Sequence, residues 1–164
     1  MKAAIVALLA TSTLIFAEPV KPTFHYTIFI AKSAQDVWNA LTQKQLVDRY
    51  YLAPLQTLEL KKNGKIIYGS KPELITGKII EIDAPKKLVH SFVFAGSTDP
   101  ETVVSYKIQP VGDLMCSLSI THTGFPSENQ SFLNISDGWP VIASSLKTVL
   151  ETDKSLPWPK KKKP

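Results

Sequence analysis

Two histidines are the residues best placed to do chemistry. His90 lies two positions from Leu88 and from Phe92, and His122 lies two positions after Ile120. Residues two apart share one face of a β-strand, so both imidazoles are expected on an inward, apolar face. There a neutral imidazole could bind a polar group of a ligand or act as an acid or base. The commoner alternative is a core histidine with one ring nitrogen tied to a backbone or solvent partner.

The other reactive residues form no recognisable catalytic or metal-binding motif. His25 alternates with the apolar residues around it and is expected to be exposed, and no two histidines have metal-ligand spacing on one element. Cys116 shares an apolar face with Leu114 and Leu118, where burial would raise the pKa of its thiol. A glycine-rich phosphate loop and a nucleophile elbow are both missing from the sequence. We therefore expect neither a metal nor a cofactor.

The composition is that of a single soluble domain. The chain has 164 residues, of which 44% are hydrophobic and 20% charged, and its one cysteine excludes an internal disulfide. Without Lys2 and Lys160–Lys163, the 14 remaining basic residues balance the 14 acidic ones. A neutral body argues against a nucleic-acid surface, which needs basic side chains spread along one face.

The two ends of the chain differ from the body. Residues 1–17 place Lys2 before a short apolar run that resembles a secretory signal, although an uncleaved anchor or a buried first element is the alternative. A linker over 18–22 leads to the domain at 23–153, and we expect export to a periplasm or the exterior. In the Pro- and Lys-rich tail, 154–164, the lysines could touch an anionic membrane or only improve solubility: Lys160, Lys161, Lys162 and Lys163.

The pattern of the body predicts an α+β domain. A strand over 23–30 is followed by a helix capped by Ser33 and by a second short helix that ends before Pro54. Strand periodicity and turn residues, including Asn63-Gly64, then predict three successive hairpins, with strands at 57–61, 66–69, 74–82, 87–94, 102–109 and 114–123. A loop over 124–131 leads to a helix that ends near Asp153.

The final helix should cover the sheet with one apolar stripe. Trp139, Ile142 or Ala143, and Leu146 recur at helical spacing. Pro140 has no amide hydrogen to donate, so we expect it either to begin the regular part of this helix or to kink a longer one. A break beside Trp139 could gate a cavity.

Four segments of the sequence resemble one known superfamily. They are FIAKSAQDVWNALT (29–42), GKIIEIDAPKKLVHSF (77–92), SITHTGF (119–125) and GWPVIASSLKTVLE (138–151). Their order and content are similar to the START-like or SRPBCC helix-grip proteins, and within them to the heat-shock-protein ATPase activator-like branch. The resemblance implies a curved antiparallel sheet of about six to seven strands that grips a long C-terminal helix. Tyr50 and Tyr51 stand where the family often has tryptophan.

The resemblance also implies a cavity between sheet and helix that holds a small hydrophobic or lipid-like molecule. The alternation of the strands and the spacing of the helix predict its lining: Tyr26, Ile28, His90, Phe92, Tyr106, Ile108, Leu118, His122, Trp139, Ile142 and Leu146. Two alternatives stay open. One is a cyclase-, dehydratase- or hydrolase-like enzyme that uses a histidine or tyrosine of the pocket. The other is a protein-interaction module of the chaperone-activator kind.

Overall fold

The computed structural model describes residues 21–157, in which an antiparallel sheet is covered by a long C-terminal helix. The elements are β1 (Phe24–Ile30), α1 (Ala34–Thr42), α2 (Lys44–Tyr50), β2 (Leu55–Leu58), β3 (Lys65–Tyr68), β4 (Ile75–Asp83), β5 (Lys87–Phe94), β6 (Thr102–Pro110), β7 (Cys116–Thr123) and α3 (Gln130–Thr152). The predicted signal segment at 1–17 and the tail lysines at 160–163 lie outside the described residues. Within 21–157, no helix is both long and apolar enough to cross a bilayer.

The sheet has seven strands in the order β1-β7-β6-β5-β4-β3-β2, and neighbouring strands are antiparallel. The chain makes successive hairpins from β2 to β7, as the turn residues predict. The first strand returns to pair with the last, with Phe24 opposite His122. This topology, with two short helices after β1 and α3 across the sheet, confirms the predicted α+β helix-grip fold.

The first helix begins where its capping residues predict. The Ser33 hydroxyl accepts a hydrogen bond from the amide of Asp36, and the Asp36 carboxylate accepts one from the amide of Ser33. This reciprocal pair satisfies amides that have no partner inside the helix. It fixes the start of α1, which then buries Val37, Trp38 and Leu41 in the core.

The predicted bounds of two strands are wrong. β2 is Leu55–Leu58 and not 57–61, because residues 59–64 form a tight loop in which the Lys61 amide donates to the Glu59 carbonyl at 2.7 Å. Gly64 is required there, since a Cβ atom on it would lie 2.1 Å from the Glu59 carbonyl oxygen. β7 begins at Cys116 and not at Leu114, whose side chain is 83% exposed in the preceding turn.

The long helix α3 runs unbroken through Pro140. The Asn129 side chain caps its start by accepting from the Phe132 amide at 3.0 Å, eleven residues before the proline. The expectation that Pro140 begins the regular part of the helix is therefore wrong. Pro140 lies inside the helix and leaves the carbonyl of Ser136 without its usual amide donor. The predicted stripe is confirmed, with the following residues buried against the core: Trp139, Ile142, Ala143, Leu146 and Val149.

Candidate functional site

A cavity of about 450 Å³ lies between one end of the sheet and the first half of α3. Its walls come from the α2–β2 connection, the end of β5, the loop that follows it, the start of β6, the end of β7 and the helix. Most of the lining is apolar or aromatic. It consists of Tyr51, Leu52, Phe92, Val93, Phe94, Ala95, Gly96, Ser97, Asp99, Pro100, Thr102, His122, Phe125, Ser131, Asn134, Ile135, Gly138, Trp139 and Ile142.

The sheet wall is built from neighbouring strands at one sheet end. Phe92 of β5 lies opposite Thr102 of β6, and the Thr102 hydroxyl donates to the Phe92 carbonyl at 2.9 Å. Beyond β7, Gly124 adopts a φ of +97°, a conformation that glycine adopts without strain. This turn carries Phe125 over His122, with 4.7 Å between the ring centroids. The wall is therefore a layer of aromatic rings anchored to the strands.

The small side chains on the cavity-lining face of α3 explain why empty space remains between the helix and the sheet. Ser131, Ile135, Gly138 and Ile142 recur at helical spacing and share one face of α3. Serine and glycine contribute little volume, and a Cβ atom added to Gly138 would find nothing within 4 Å. The face that covers the sheet is thus deficient in side-chain volume along this half of the helix.

His122 and Trp139 form a hydrogen-bonded relay in the cavity wall. The Trp139 indole Nε1–H donates to His122 Nδ1 at 3.1 Å, which makes Nδ1 an acceptor and places the ring hydrogen on Nε2. Nε2 donates to the Thr102 hydroxyl oxygen at 2.8 Å, and that hydroxyl in turn donates to the Phe92 carbonyl. Both nitrogens of the buried imidazole are therefore engaged, and one tautomer satisfies every partner.

The relay has a direct consequence for the charge of His122. Burial and, to a smaller extent, the nearby His90 together lower the pKa of His122 to about 3. A proton added to Nδ1 would also face the indole N–H of Trp139, which is a donor with no acceptor capacity. His122 is neutral near pH 7, and its only basic lone pair is occupied. His122 is therefore better placed to stabilise the cavity wall than to accept a proton from a substrate.

The other inward histidine, His90, is fully buried but lies away from the cavity. Its Nδ1–H donates to the Ser91 carbonyl at 2.7 Å, and burial lowers its pKa to about 4. Its Nε2 has no hydrogen-bond partner among residues 21–157. The rings of Phe92 and Tyr106 flank it at centroid distances of 6.5 and 5.9 Å. It is a core histidine, while His25 is exposed, as its alternation predicts.

The structure brings only some of the predicted lining residues together. Those that line the cavity are Phe92, His122, Trp139 and Ile142. Others lie deeper along α3, around a residual gap of only about 10 Å³: Tyr106, Leu118 and Leu146. His90 and Ile108 are buried without lining either space, and Tyr26 and Ile28 pack half-buried against the core from β1.

Several lining residues were not predicted. Val93 and Phe94 are the last two residues of β5, whereas Phe125 and the lining residues between Ala95 and Pro100 belong to connections, where alternation gives no information about facing. The helix positions 131, 135 and 138 could have been found, because they continue the spacing of Ile142 toward the start of α3. Tyr51 follows the last residue of α2, and burial raises the pKa of its hydroxyl well above the ordinary value.

The polar groups of the site do not form a metal centre. Within the described residues, no group of three or more His, Cys, Asp or Glu side chains is placed to hold a metal ion. Cys116 is buried at the start of β7, where burial raises the pKa of its thiol. The arrangement can surround an apolar molecule and offers a few hydroxyl, amide and carboxylate groups at its edge.

Solved structures share this architecture at low sequence identity. The Aha1 dimer from Colwellia psychrerythraea matches with a TM-score of 0.71 at 17% identity, covering 82% of this chain and 99% of that one. An HSP90 activator from Plasmodium falciparum matches with a TM-score of 0.67 at 22% identity, covering 78% and 95%. CalU16 from Micromonospora echinospora matches with a TM-score of 0.71 at 20% identity, covering 86% and 72%. These likenesses show the fold.

Sequence comparison assigns the family. No curated protein matches the sequence at a significant level. The family model described as Activator of Hsp90 ATPase homolog 1-like protein matches residues 31–151, from the end of β1 almost to the end of α3. The chain therefore belongs to the family of activator of Hsp90 ATPase homolog 1-like proteins, within the SRPBCC helix-grip superfamily.

Proposed function

We propose that the protein binds a small, mainly apolar molecule in the cavity between the sheet end and α3, without transforming it. The observation that carries this proposal is a cavity of about 450 Å³ with aromatic and aliphatic walls. This volume lies in the range typical of small-molecule sites, which are largely apolar with a few fixed polar groups. Phe92, Phe125 and Trp139 would contact the apolar body of the ligand.

The hydrogen bonding of the wall disfavours an enzyme that uses a histidine or tyrosine of the pocket as its base. A general base needs a free lone pair within reach of the substrate. His122 is the only histidine that lines the cavity, and its lone pair already accepts from Trp139. His90 keeps a free lone pair but does not line this space. The pocket tyrosine, Tyr51, has a raised pKa, which disfavours its anionic form.

A neutral aromatic probe tests the proposal. N-phenylnaphthylamine should gain fluorescence on entering the cavity of the wild-type protein. In Gly138→Leu the new side chain enters space that is empty around Gly138, so probe binding should weaken by about tenfold or more. The exchange also favours the helix by about 0.8 kcal/mol, so loss of binding would not reflect unfolding.

The matched control is Val141→Leu, which enlarges an exposed side chain on the same helix outside the cavity. It should bind the probe as the wild type does. Unchanged binding by Gly138→Leu would place the probe elsewhere and contradict the proposal. Native mass spectrometry of the protein purified from its own source would then identify any retained molecule.

Export is a second part of the proposal, motivated by the apolar segment at 1–17. The mature protein should begin after Ala17 and should fractionate outside the cytoplasm. Intact mass measurement of the native protein tests this, since a retained segment 1–17 would contradict cleavage. The lysines at 160–163 are proposed to touch anionic membranes weakly. Deletion of 158–164 should reduce sedimentation with phosphatidylserine vesicles, and unchanged sedimentation would reject that role.

The family name motivates a second candidate function, stimulation of a chaperone ATPase. One solved relative, at 22% identity, is described as an HSP90 activator. The test is the ATPase rate of an Hsp90 from the same source with and without this protein. A rise of several-fold that is insensitive to Gly138→Leu would favour an interaction surface over the cavity as the functional site.

A further inference from the structure

The cavity lining contains one charged side chain. Asp99 lies in the loop between β5 and β6, and its Oδ1 accepts from the Asn129 amide at 2.8 Å. Its Oδ2 is shielded from solvent and has no hydrogen-bond partner among residues 21–157. Within the same residues, no lysine or arginine forms a salt bridge with it. The protein therefore places a carboxylate at the cavity without a counter-charge.

The chain segments that form the walls are also acidic as a group. Segments 51–54, 92–102 and 122–142 contain Asp99, Glu101, Glu128 and Asp137 but no lysine or arginine. The basic residues of the described range all lie in the rest of the fold. Clefts lined by one sign of charge concentrate molecules of the opposite sign, and low-dielectric walls strengthen the effect. Asp99 is the acidic residue of this group that lines the cavity, while Glu101, Glu128 and Asp137 are exposed on the same segments. The charge within the cavity lining therefore favours a cation.

We infer that the molecule bound here is a cationic amphiphile, with an apolar body and an ammonium-like end at the β5–β6 loop. This inference rests on the proposed binding function and names its ligand class. A carboxylate-ended molecule, such as a fatty acid, would meet Asp99 with no basic residue in the lining to offset the repulsion. An ammonium end instead meets the carboxylate in a cavity whose lining includes the aromatic rings of Trp139 and Phe92, and aromatic rings attract cations to their faces.

The geometry allows the contact after a small local change. Asp99 lines the cavity, and the torsion about its Cβ–Cγ bond, which moves both carboxylate oxygens together, is soft in aspartate. The bond from Asn129 to Oδ1 ties the loop to the N-cap of α3. If Asp99 had only a structural role, its function would be limited to this hydrogen bond with Asn129. Asparagine at this position keeps an oxygen for Asn129 but removes the charge, so the two roles can be separated.

The experiment compares molecules that differ only in the polar end. Octylamine, octanol and octanoate compete with N-phenylnaphthylamine at neutral pH on wild-type protein, on Asp99→Asn and on the control Asp113→Asn. Asp113 is an exposed aspartate in the β6–β7 loop, at the opposite end of β6, so the control removes the same charge far from the cavity. On the wild type, octylamine should compete about tenfold or more better than octanol, and octanoate should compete worst.

The outcomes separate this inference from the function on which it rests. Asp99→Asn should bring octylamine to within about twofold of octanol, and Asp113→Asn should keep the preference. High salt should also weaken the preference on the wild type, a readout that needs no variant. Probe binding with no preference for octylamine overturns the cationic ligand and leaves the apolar cavity standing. A preference that survives Asp99→Asn overturns the role of Asp99. Failure of the probe to bind the wild type overturns the proposed function itself.

Discussion

The two halves of α3 cover the same sheet with different results. Beneath the first half lies a cavity of about 450 Å³, whereas beneath the second half Tyr106, Leu118 and Leu146 leave only about 10 Å³. Trp139 and Ile142 border both spaces. Ser131 and Gly138 contribute little side-chain volume to the first half, whereas Leu146 and Val149 are buried against the core in the second half. One helix can therefore close a core and roof a cavity.

The two regions also differ in how they bury a histidine. His122, at the cavity, uses both ring nitrogens, whereas His90, away from it, uses only Nδ1. Both are fully buried and both have pKa values well below the ordinary value of 6.5. Folding stability should therefore depend on pH through both regions, although only the cavity region contains the hydrogen-bonded relay.

The largest predicted effect is a loss of stability as the pH falls below about 6.5. Folding lowers the pKa of His122 to about 3 and that of His90 to about 4, so the unfolded chain takes up protons first. Stability is complete above pH 6.5 and declines toward these folded values, by up to about 1.4 kcal/mol per pH unit for each histidine. Urea unfolding between about pH 7 and pH 5 measures this slope, above the range where carboxylates titrate.

Replacing one histidine divides the effect between the two regions. His90→Phe keeps a ring beside Phe92 and Tyr106 and should lower the slope by about half. If His90→Phe left the slope unchanged, His90 would have the same pKa in the folded and the unfolded chain.

The next largest effect contrasts packed and open positions directly. Leu118→Ala removes a fully buried side chain from the packed half and should cost about 3 kcal/mol. Ile135→Ala removes a half-buried side chain that already borders empty space, so it should cost about 1 kcal/mol or less. Chemical unfolding measures both. Equal losses would contradict the distinction between a closed core and an open cavity.

Sequence patterns were sufficient for the fold but not for the cavity. Strand alternation and turn residues predicted the hairpins, and helical spacing predicted the buried stripe, because these features depend on neighbours in the chain. Alternation indicates which face a residue occupies, but it does not locate empty volume along that face. Tyr26 and Phe92 satisfy the same rule, yet only Phe92 lines the cavity. The cavity depends on the β5–β6 loop and on the turn at Gly124. The conformations of these connections do not follow from any repeating spacing of apolar residues.

A smaller effect tests the relay that separates the two regions. Trp139→Phe keeps an aromatic ring but removes the donor to His122 Nδ1, leaving a buried acceptor unpaired at a cost of about 1–3 kcal/mol. Trp38→Phe is the control, because Trp38 is also buried but its indole N–H donates no hydrogen bond within residues 21–157. Nitrogen NMR of the His122 ring would report the lost bond. A cost no greater than that of Trp38→Phe would show that the relay adds nothing to packing.

The smallest predicted effect has the opposite sign. Gly138 lies inside α3 with a φ outside the left-handed region, and an added Cβ would meet no atom within 4 Å. Gly138→Ala should therefore stabilise the protein by about 0.5–1 kcal/mol, because alanine loses less backbone freedom in a helix. Ala143→Gly, in the same helix but fully packed, should destabilise it by at least as much. If Gly138→Ala also destabilised the protein, the first half of the helix would be as closely packed as the second, and the contrast between core and cavity would fail.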